Sequence, residues 1–122
     1  MKILIVEDEP ELAELLQEAL ECAEVEVRIA ENGLVALEKL KNDRFDVIIT
    51  DQSMPIMDGK TLIENVYKLK LVSEDARIFL FTGAIHSIFS DADLEKECFK
   101  KCELLAKPFS GSALRALILK KA

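Results

Sequence analysis

Phe45-Asp46-Val47-Ile48-Ile49-Thr50-Asp51-Gln52-Ser53-Met54-Pro55-Ile56-Met57-Asp58-Gly59 is an apolar run that ends on a carboxylate and breaks into a loop. The run at 45–50 is short and rich in β-branched residues, which reads as a buried strand. Pro55 and Gly59 mark the segment after Asp51 as irregular. Three other runs end in the same manner. Ile3-Leu4-Ile5-Val6 delivers Glu7-Asp8, Ile78-Phe79-Leu80-Phe81 delivers Thr82-Gly83, and Leu104-Leu105-Ala106 delivers Lys107-Pro108. If these runs are parallel strands, three acids, a hydroxyl and an ammonium emerge at one edge of one sheet. Open α/β folds place their ligand sites at that edge.

Helical patterns fill the gaps between the runs. Leu12, Leu15, Leu16, Ala19 and Leu20 are spaced for one helix face, and Pro10 stands where a first helical turn tolerates it. Residues 25–30 alternate apolar and polar, so this second strand has a wet face and is expected at a sheet edge. Asn32 is placed to cap a helix carrying Val35, Ala36, Leu37 and Leu40. Leu62, Ile63, Val66, Tyr67 and Leu69 mark a third helix. A fourth is expected over residues 91–101, and Ser110 can cap a last one through Leu114, Leu117 and Ile118. The expectation is an α/β, flavodoxin-like fold: a doubly wound five-stranded parallel sheet of order 2-1-3-4-5 with helices on both faces. No linker, repeat or low-complexity tract interrupts it, and residues 1–122 read as a single domain.

Composition narrows the function classes. A net charge of −7 and pI near 4.8 leave no basic stripe for nucleic acid. Half the 122 residues are hydrophobic and mean hydropathy is +0.15, so the chain can bury a core. Three cysteines, Cys22, Cys98 and Cys102, are too few and too irregular for a disulfide framework. Cys98 and Cys102 would share a helix face four residues apart, without the further ligands a zinc cage needs. No run approaches the length of a membrane span, and Met1-Lys2 leads straight into the first strand, so a cytoplasmic location is expected.

Taken as charges, two carboxylates about 5 Å apart repel by roughly 3 kcal/mol at an effective dielectric near 20. Three acids together would shift their pKa values upward or recruit cations. Lys107 and one Mg²⁺ neutralise Glu7, Asp8 and Asp51, and Mg²⁺ favours a few carboxylates plus waters. A phosphoryl group on Asp51 would meet that charge together with the Thr82 hydroxyl and loop N–H groups, which is sufficient for phosphoryl transfer. Each signal has a bland reading: Glu7-Asp8 as a helix cap, Asp51 as a turn-former. Their coincidence at four strand ends favours the functional one. His86, the single histidine, reads as a surface residue near a helix start.

Glu7-Asp8, Asp51 with Met54-Pro55-Ile56-Met57-Asp58-Gly59, Thr82-Gly83-Ala84 and Lys107-Pro108-Phe109 together resemble the receiver domain of two-component response regulators. The resemblance spans nearly the whole chain. It implies that Asp51 takes a phosphoryl group from the phosphohistidine of a histidine kinase or histidine phosphotransfer protein, with Mg²⁺ (or Mn²⁺) required. It implies that Asp8 and Asp51 ligate the metal directly, Glu7 acts mainly through water, and the Ser53 carbonyl completes the protein ligands. Lys107 would pair with one phosphoryl oxygen and Thr82 would turn inward to another, and the Lys107–Pro108 peptide would be cis. The chain would then be a signalling acceptor rather than an enzyme, aiding its own phosphorylation and slow dephosphorylation only.

Two features depart from the family's common pattern. Leu104 stands three before Lys107, where the family often has Tyr or Phe. The interval from Thr82 to Lys107 is also a few residues longer than the family usually has, with the extra length expected in 85–93. A downstream target could dock through 85–101, although Ile85, Ile88 and Phe89 read better as core packing. An aspartate-nucleophile phosphatase would want a second acid where Ser53 stands. An unphosphorylated interaction module is the other alternative, with every acid, Thr82 and Lys107 present against it.

Overall fold

The computed structural model describes residues 1–83, 89–106 and 110–119. In chain order these form β1 (Lys2–Val6), α1 (Pro10–Leu20), β2 (Glu26–Ala30), α2 (Gly33–Asn42), β3 (Val47–Asp51) and α3 (Gly59–Lys68). Then follow β4 (Arg77–Thr82), the short helices α4 (Asp91–Leu94) and α5 (Glu97–Lys100), β5 (Cys102–Ala106) and α6 (Gly111–Leu119). The sheet is five-stranded in the order β2-β1-β3-β4-β5, and all four pairings are parallel. The expected order and the edge position of the second strand are both found.

Period-two alternation divides the strand side chains between two cores. Ile3, Ile5, Val47, Ile49, Phe79 and Phe81 join Leu16 and Leu20 of α1 and Leu114 and Ile118 of α6. Leu4, Val6, Ile48, Ile78 and Leu80 join Leu37, Leu40, Leu62, Ile63 and Val66 of α2 and α3, with Phe89 and Phe99. Helices therefore cover both faces, and the central strands are buried on both sides, as their continuous apolar sequences require.

Local chemistry sets the helix starts. Pro10 occupies the first turn of α1, Asn32 accepts a hydrogen bond from Val35 N–H at 2.9 Å, and Asp58 accepts one from Thr61 N–H at 2.8 Å. Ser110 Oγ accepts from Ala113 N–H at 3.1 Å ahead of α6.

The single helix expected over 91–101 is two short helices instead. Lys96 between them is extended, with φ −68° and ψ 137°, and is the N-cap residue of α5. Ser90 and Asp93 form a reciprocal capping box for α4, and Lys96 reaches Glu64 on α3 at 3.3 Å. The break accompanies burial of both Phe89 and Phe99, whose rings meet edge to face at 5.0 Å. Consequently Cys98 lies in α5 and Cys102 in β5, and the pair shares no helix face. Burial pushes the Cys98 thiol up and the Cys102 thiol up to about 12, as expected of inert core thiols.

Candidate functional site

β1 and β3 are hydrogen-bonded neighbours, pairing Ile3 with Val47 through Val6 with Thr50. Their connections leave toward opposite faces of the sheet, so a crevice opens between their C-terminal ends. Glu7, Asp8 and Asp51 exit there. Each can offer a carboxylate oxygen such that the three lie within 4.8 Å of one another. Glu7 and Asp51 are buried and Asp8 is exposed. Among the described residues this is the group of acids, cysteines or histidines with metal-holding geometry.

The helix-cap reading of the acid pair does not hold. The N-cap of α1 is Glu9, and its side chain makes no capping hydrogen bond. Glu7 Oε2 instead accepts from Asp8 N–H at 3.0 Å and Glu9 N–H at 3.4 Å, while Glu7 N–H donates to Ala30 O at 3.0 Å. The two following N–H groups thus hold the Glu7 carboxylate and Ala30 holds its main chain, leaving Asp8 to face solvent beside it.

Asp51 is held as firmly. The buried Thr50 hydroxyl donates to Asp51 O at 2.9 Å. Gly59 presses on the same carbonyl from the start of α3: a Cβ there would lie 2.5 Å from Asp51 O and 2.5 Å from Leu80 Cδ1. Only glycine fits so close an approach. Gln52, also buried, acts as a clamp. Its N–H donates to Phe81 O at 2.9 Å, its carbonyl accepts from Gly59 N–H at 3.1 Å, and its side-chain Oε1 accepts from Lys60 N–H at 2.8 Å.

Between these anchors the loop turns sharply. Met57 N–H donates to Pro55 O at 2.8 Å, and Ile56 in the middle has φ 73° with its side chain 71% exposed. This is a γ-turn carried by a β-branched residue in the left-handed region, a strained geometry. Ser53, in the same loop, is exposed.

Thr82 ends β4, paired with Ala106 of β5, and is buried with 3% exposure. Its strand lies beside β3, with Asp51 paired to Phe81. Lys107 and Pro108, and with them the cis peptide, lie outside the described residues, as do Ala84, Ile85, His86, Ile88 and Phe109. Phe89 packs on the core, as favoured for it. Leu104 is half-buried against the same core rather than enclosed, because β5 is the outer strand.

One feature of this neighbourhood was missed in the sequence. Lys60, just after Gly59, places Nζ 2.5 Å from Asp93 Oδ2 and 5.6 Å from the Phe89 ring centroid. Lys60, helped by the Ser90 N–H, holds the Asp93 carboxyl well below the usual carboxylate range. The partners are 33 residues apart, so no local spacing could reveal them.

A groove of about 930 Å³, lined by Met1, Cys22, Val25, Arg77 and Leu117, lies near the opposite ends of the strands. The acid cluster at the sheet's C-terminal edge is the better site on chemistry.

A profile described as "Response regulator receiver domain" matches residues 3–119. The chain is 33% identical over 109 residues to the response regulator receiver protein CpdR of Brucella abortus, covering 88% of this chain and 85% of that one. It is 31% identical over 121 residues to the sporulation initiation phosphotransferase F of Bacillus subtilis, covering 98% and 91%. Longer relatives are matched over as little as 12% of their length. In structure it is similar to the response regulator TrrA of Thermotoga maritima, solved with Mg²⁺ and BeF, at TM-score 0.75 and 33% identity over 96% of this chain and 95% of that one. The fold, the acid cluster at its switch point and these likenesses agree: the chain belongs to the receiver-domain family of two-component response regulators.

Proposed function

We propose that Asp51 is the phosphoacceptor of a two-component pathway. The observation that carries this reading is the meeting of Glu7, Asp8 and Asp51 within 4.8 Å at the sheet's switch point, with Asp51 clamped on both sides. One Asp51 carboxylate oxygen attacks the phosphorus of a phosphohistidine on a histidine kinase or phosphotransfer protein. The P–N bond breaks, its electron pair stays on the imidazole nitrogen, and an acyl phosphate forms on Asp51.

The donor set suits Mg²⁺ or Mn²⁺: hard carboxylate oxygens, few in number, with Asp8 open to water. Asp8 and Asp51 would ligate it directly, Glu7 through water, and Ser53 through its carbonyl. When bound, the ion supplies positive charge against the incoming phosphoryl oxygens. The chain's own residues do the rest. Backbone N–H groups orient Glu7, and Thr50 and Gly59 fix the Asp51 main chain. Thr82, one strand over, donates to a phosphoryl oxygen, and Lys107 pairs with another.

The signal would pass to a downstream partner through 85–101. The domain is read as one receiver covering 1–122, working in the cytoplasm; among the described residues no helix is long and apolar enough to cross a membrane. Incubation with acetyl phosphate and Mg²⁺ tests the reading. Intact mass spectrometry should show one acid-stable, base-labile phosphoryl group that chelation of the metal abolishes. Thr82→Ala and Lys107→Ala should slow its formation. Equal labelling with the metal removed would overturn the proposal.

A further inference from the structure

The path from Asp51 to the helices after β4 runs through contacts with no slack. Gly59 has no room for even one carbon between it and the Asp51 carbonyl. The next residue, Lys60, is tied at both ends: its N–H to Gln52 Oε1 at 2.8 Å, its Nζ to Asp93 Oδ2 at 2.5 Å. Asp93 in turn accepts from Ser90 N–H at 3.1 Å, and Ser90 Oγ accepts from Asp93 N–H at 3.1 Å. Lys96 adds a second tie, to Asp93 at 3.5 Å and to Glu64 on α3 at 3.3 Å. The Lys60 and Asp93 side chains keep only 24% and 13% of their exposure, so this pair is better shielded than the other ion pairs among the described residues.

We propose that Gln52, Lys60 and Asp93 form a polar relay that carries the state of Asp51 to the Ser90–Leu94 turn. This rests on the phosphoacceptor reading and deepens it by naming the route to the output surface. Gln52 and Lys60 are positioning residues here, since neither need touch the phosphoryl group. A shift of the Asp51 main chain displaces Gly59 and Gln52 directly, because close-packed contacts transmit displacement rather than absorb it. Lys60 moves with Gly59, and its ammonium either draws Asp93 along or releases it. Asp93 is half of the α4 capping box, so losing its position loosens the start of α4 and the seat of Phe89 under Lys60. Such a relay requires a second discrete arrangement with the Lys60–Asp93 tie broken or shifted, as any coupled switch does.

Two variants test it with little other damage. Lys60→Met keeps the aliphatic stem over Phe89 and removes the charge. Asp93→Asn keeps an oxygen for the Ser90 N–H and weakens the tie to Lys60. Amide NMR spectra are recorded on the free proteins and with beryllofluoride plus Mg²⁺, alongside thermal melts. In the free protein, Asp93→Asn should perturb the amides of Gln52, Gly59 and Lys60 as well as those of 90–96. With beryllofluoride, both variants should keep the wild-type shifts at Asp51 and Thr82 and lose most of those at 89–96. A merely structural pair would lower the melting temperature and leave that ratio of responses unchanged, which overturns the relay. If beryllofluoride leaves wild-type Asp51 and Gln52 unshifted, the phosphoacceptor reading fails. The free-protein comparison then decides the relay, and changes confined to 90–96 overturn it.

Discussion

Leu4 and Leu104 are the same residue on two strands of one sheet, packed against the same core, yet their surroundings differ. Leu4 in β1 is fully buried between β2 and β3, whereas Leu104 in the outer β5 is only partly covered. The contrast extends to the halves of the molecule they represent. Around β1 and β3, strands buried on both faces end in acids, with the Glu7 carboxylate held by backbone N–H groups and the Asp51 main chain held by a glycine contact. Beyond β4, two four-residue helices replace one long one, held by ion pairs and a capping box, and β5 has only one strand neighbour. Phosphoryl chemistry needs fixed charges, while an output surface needs a low cost of rearrangement. Under the proposed phosphoacceptor role, the two halves would meet those demands separately.

Truncating the two leucines measures the contrast directly. Leu4→Ala should cost about 3–4 kcal/mol and Leu104→Ala about 1–2 kcal/mol in denaturant unfolding, from the cavity left in each place. Equal losses would show that the β5 side is as tightly built as the β1 side. Gly59→Ala comes next, at about 2–3 kcal/mol, because its new Cβ meets a backbone oxygen that cannot yield. It should also weaken Mg²⁺-induced thermal stabilisation, which a loss confined to packing would leave intact.

Smaller effects sharpen the picture of the loop and its latch. Ile56→Gly should gain about 1 kcal/mol, since the side chain is mostly exposed and the backbone is left-handed. A loss on melting would mean that the γ-turn is not under strain. For Asp93, the folded-state carboxyl is depressed below its ordinary 3.8 by Lys60 first and Ser90 second. Its stabilisation is therefore complete above that value, fades as pH falls below 3.8, and is gone below the folded-state value. Asp93→Asn should flatten that part of the stability–pH curve, and an unchanged slope would contradict the pairing.

Much of this was legible in the chain. Four apolar runs ending in Glu7-Asp8, Asp51, Thr82 and Lys107, with a half-polar second strand, carried both the strand order and the acid cluster. What escaped was non-local. The break at Lys96 answers to packing of Phe89 on Phe99 and to Glu64 on another helix, so helical spacing over 91–101 misled. Lys60 reads as an ordinary surface lysine until the fold brings Asp93 beside it. Leu104 looks like core by type, and only the strand order reveals its open side.

The central claim is that the rigid half does its chemistry on one carboxylate. Borohydride reduction after acetyl phosphate treatment converts an aspartyl phosphate to homoserine, which peptide mass spectrometry can place. The account predicts homoserine at position 51 in the wild type, and none anywhere in Asp51→Asn. Homoserine at another aspartate in the wild type, or undiminished labelling of the variant, would contradict it.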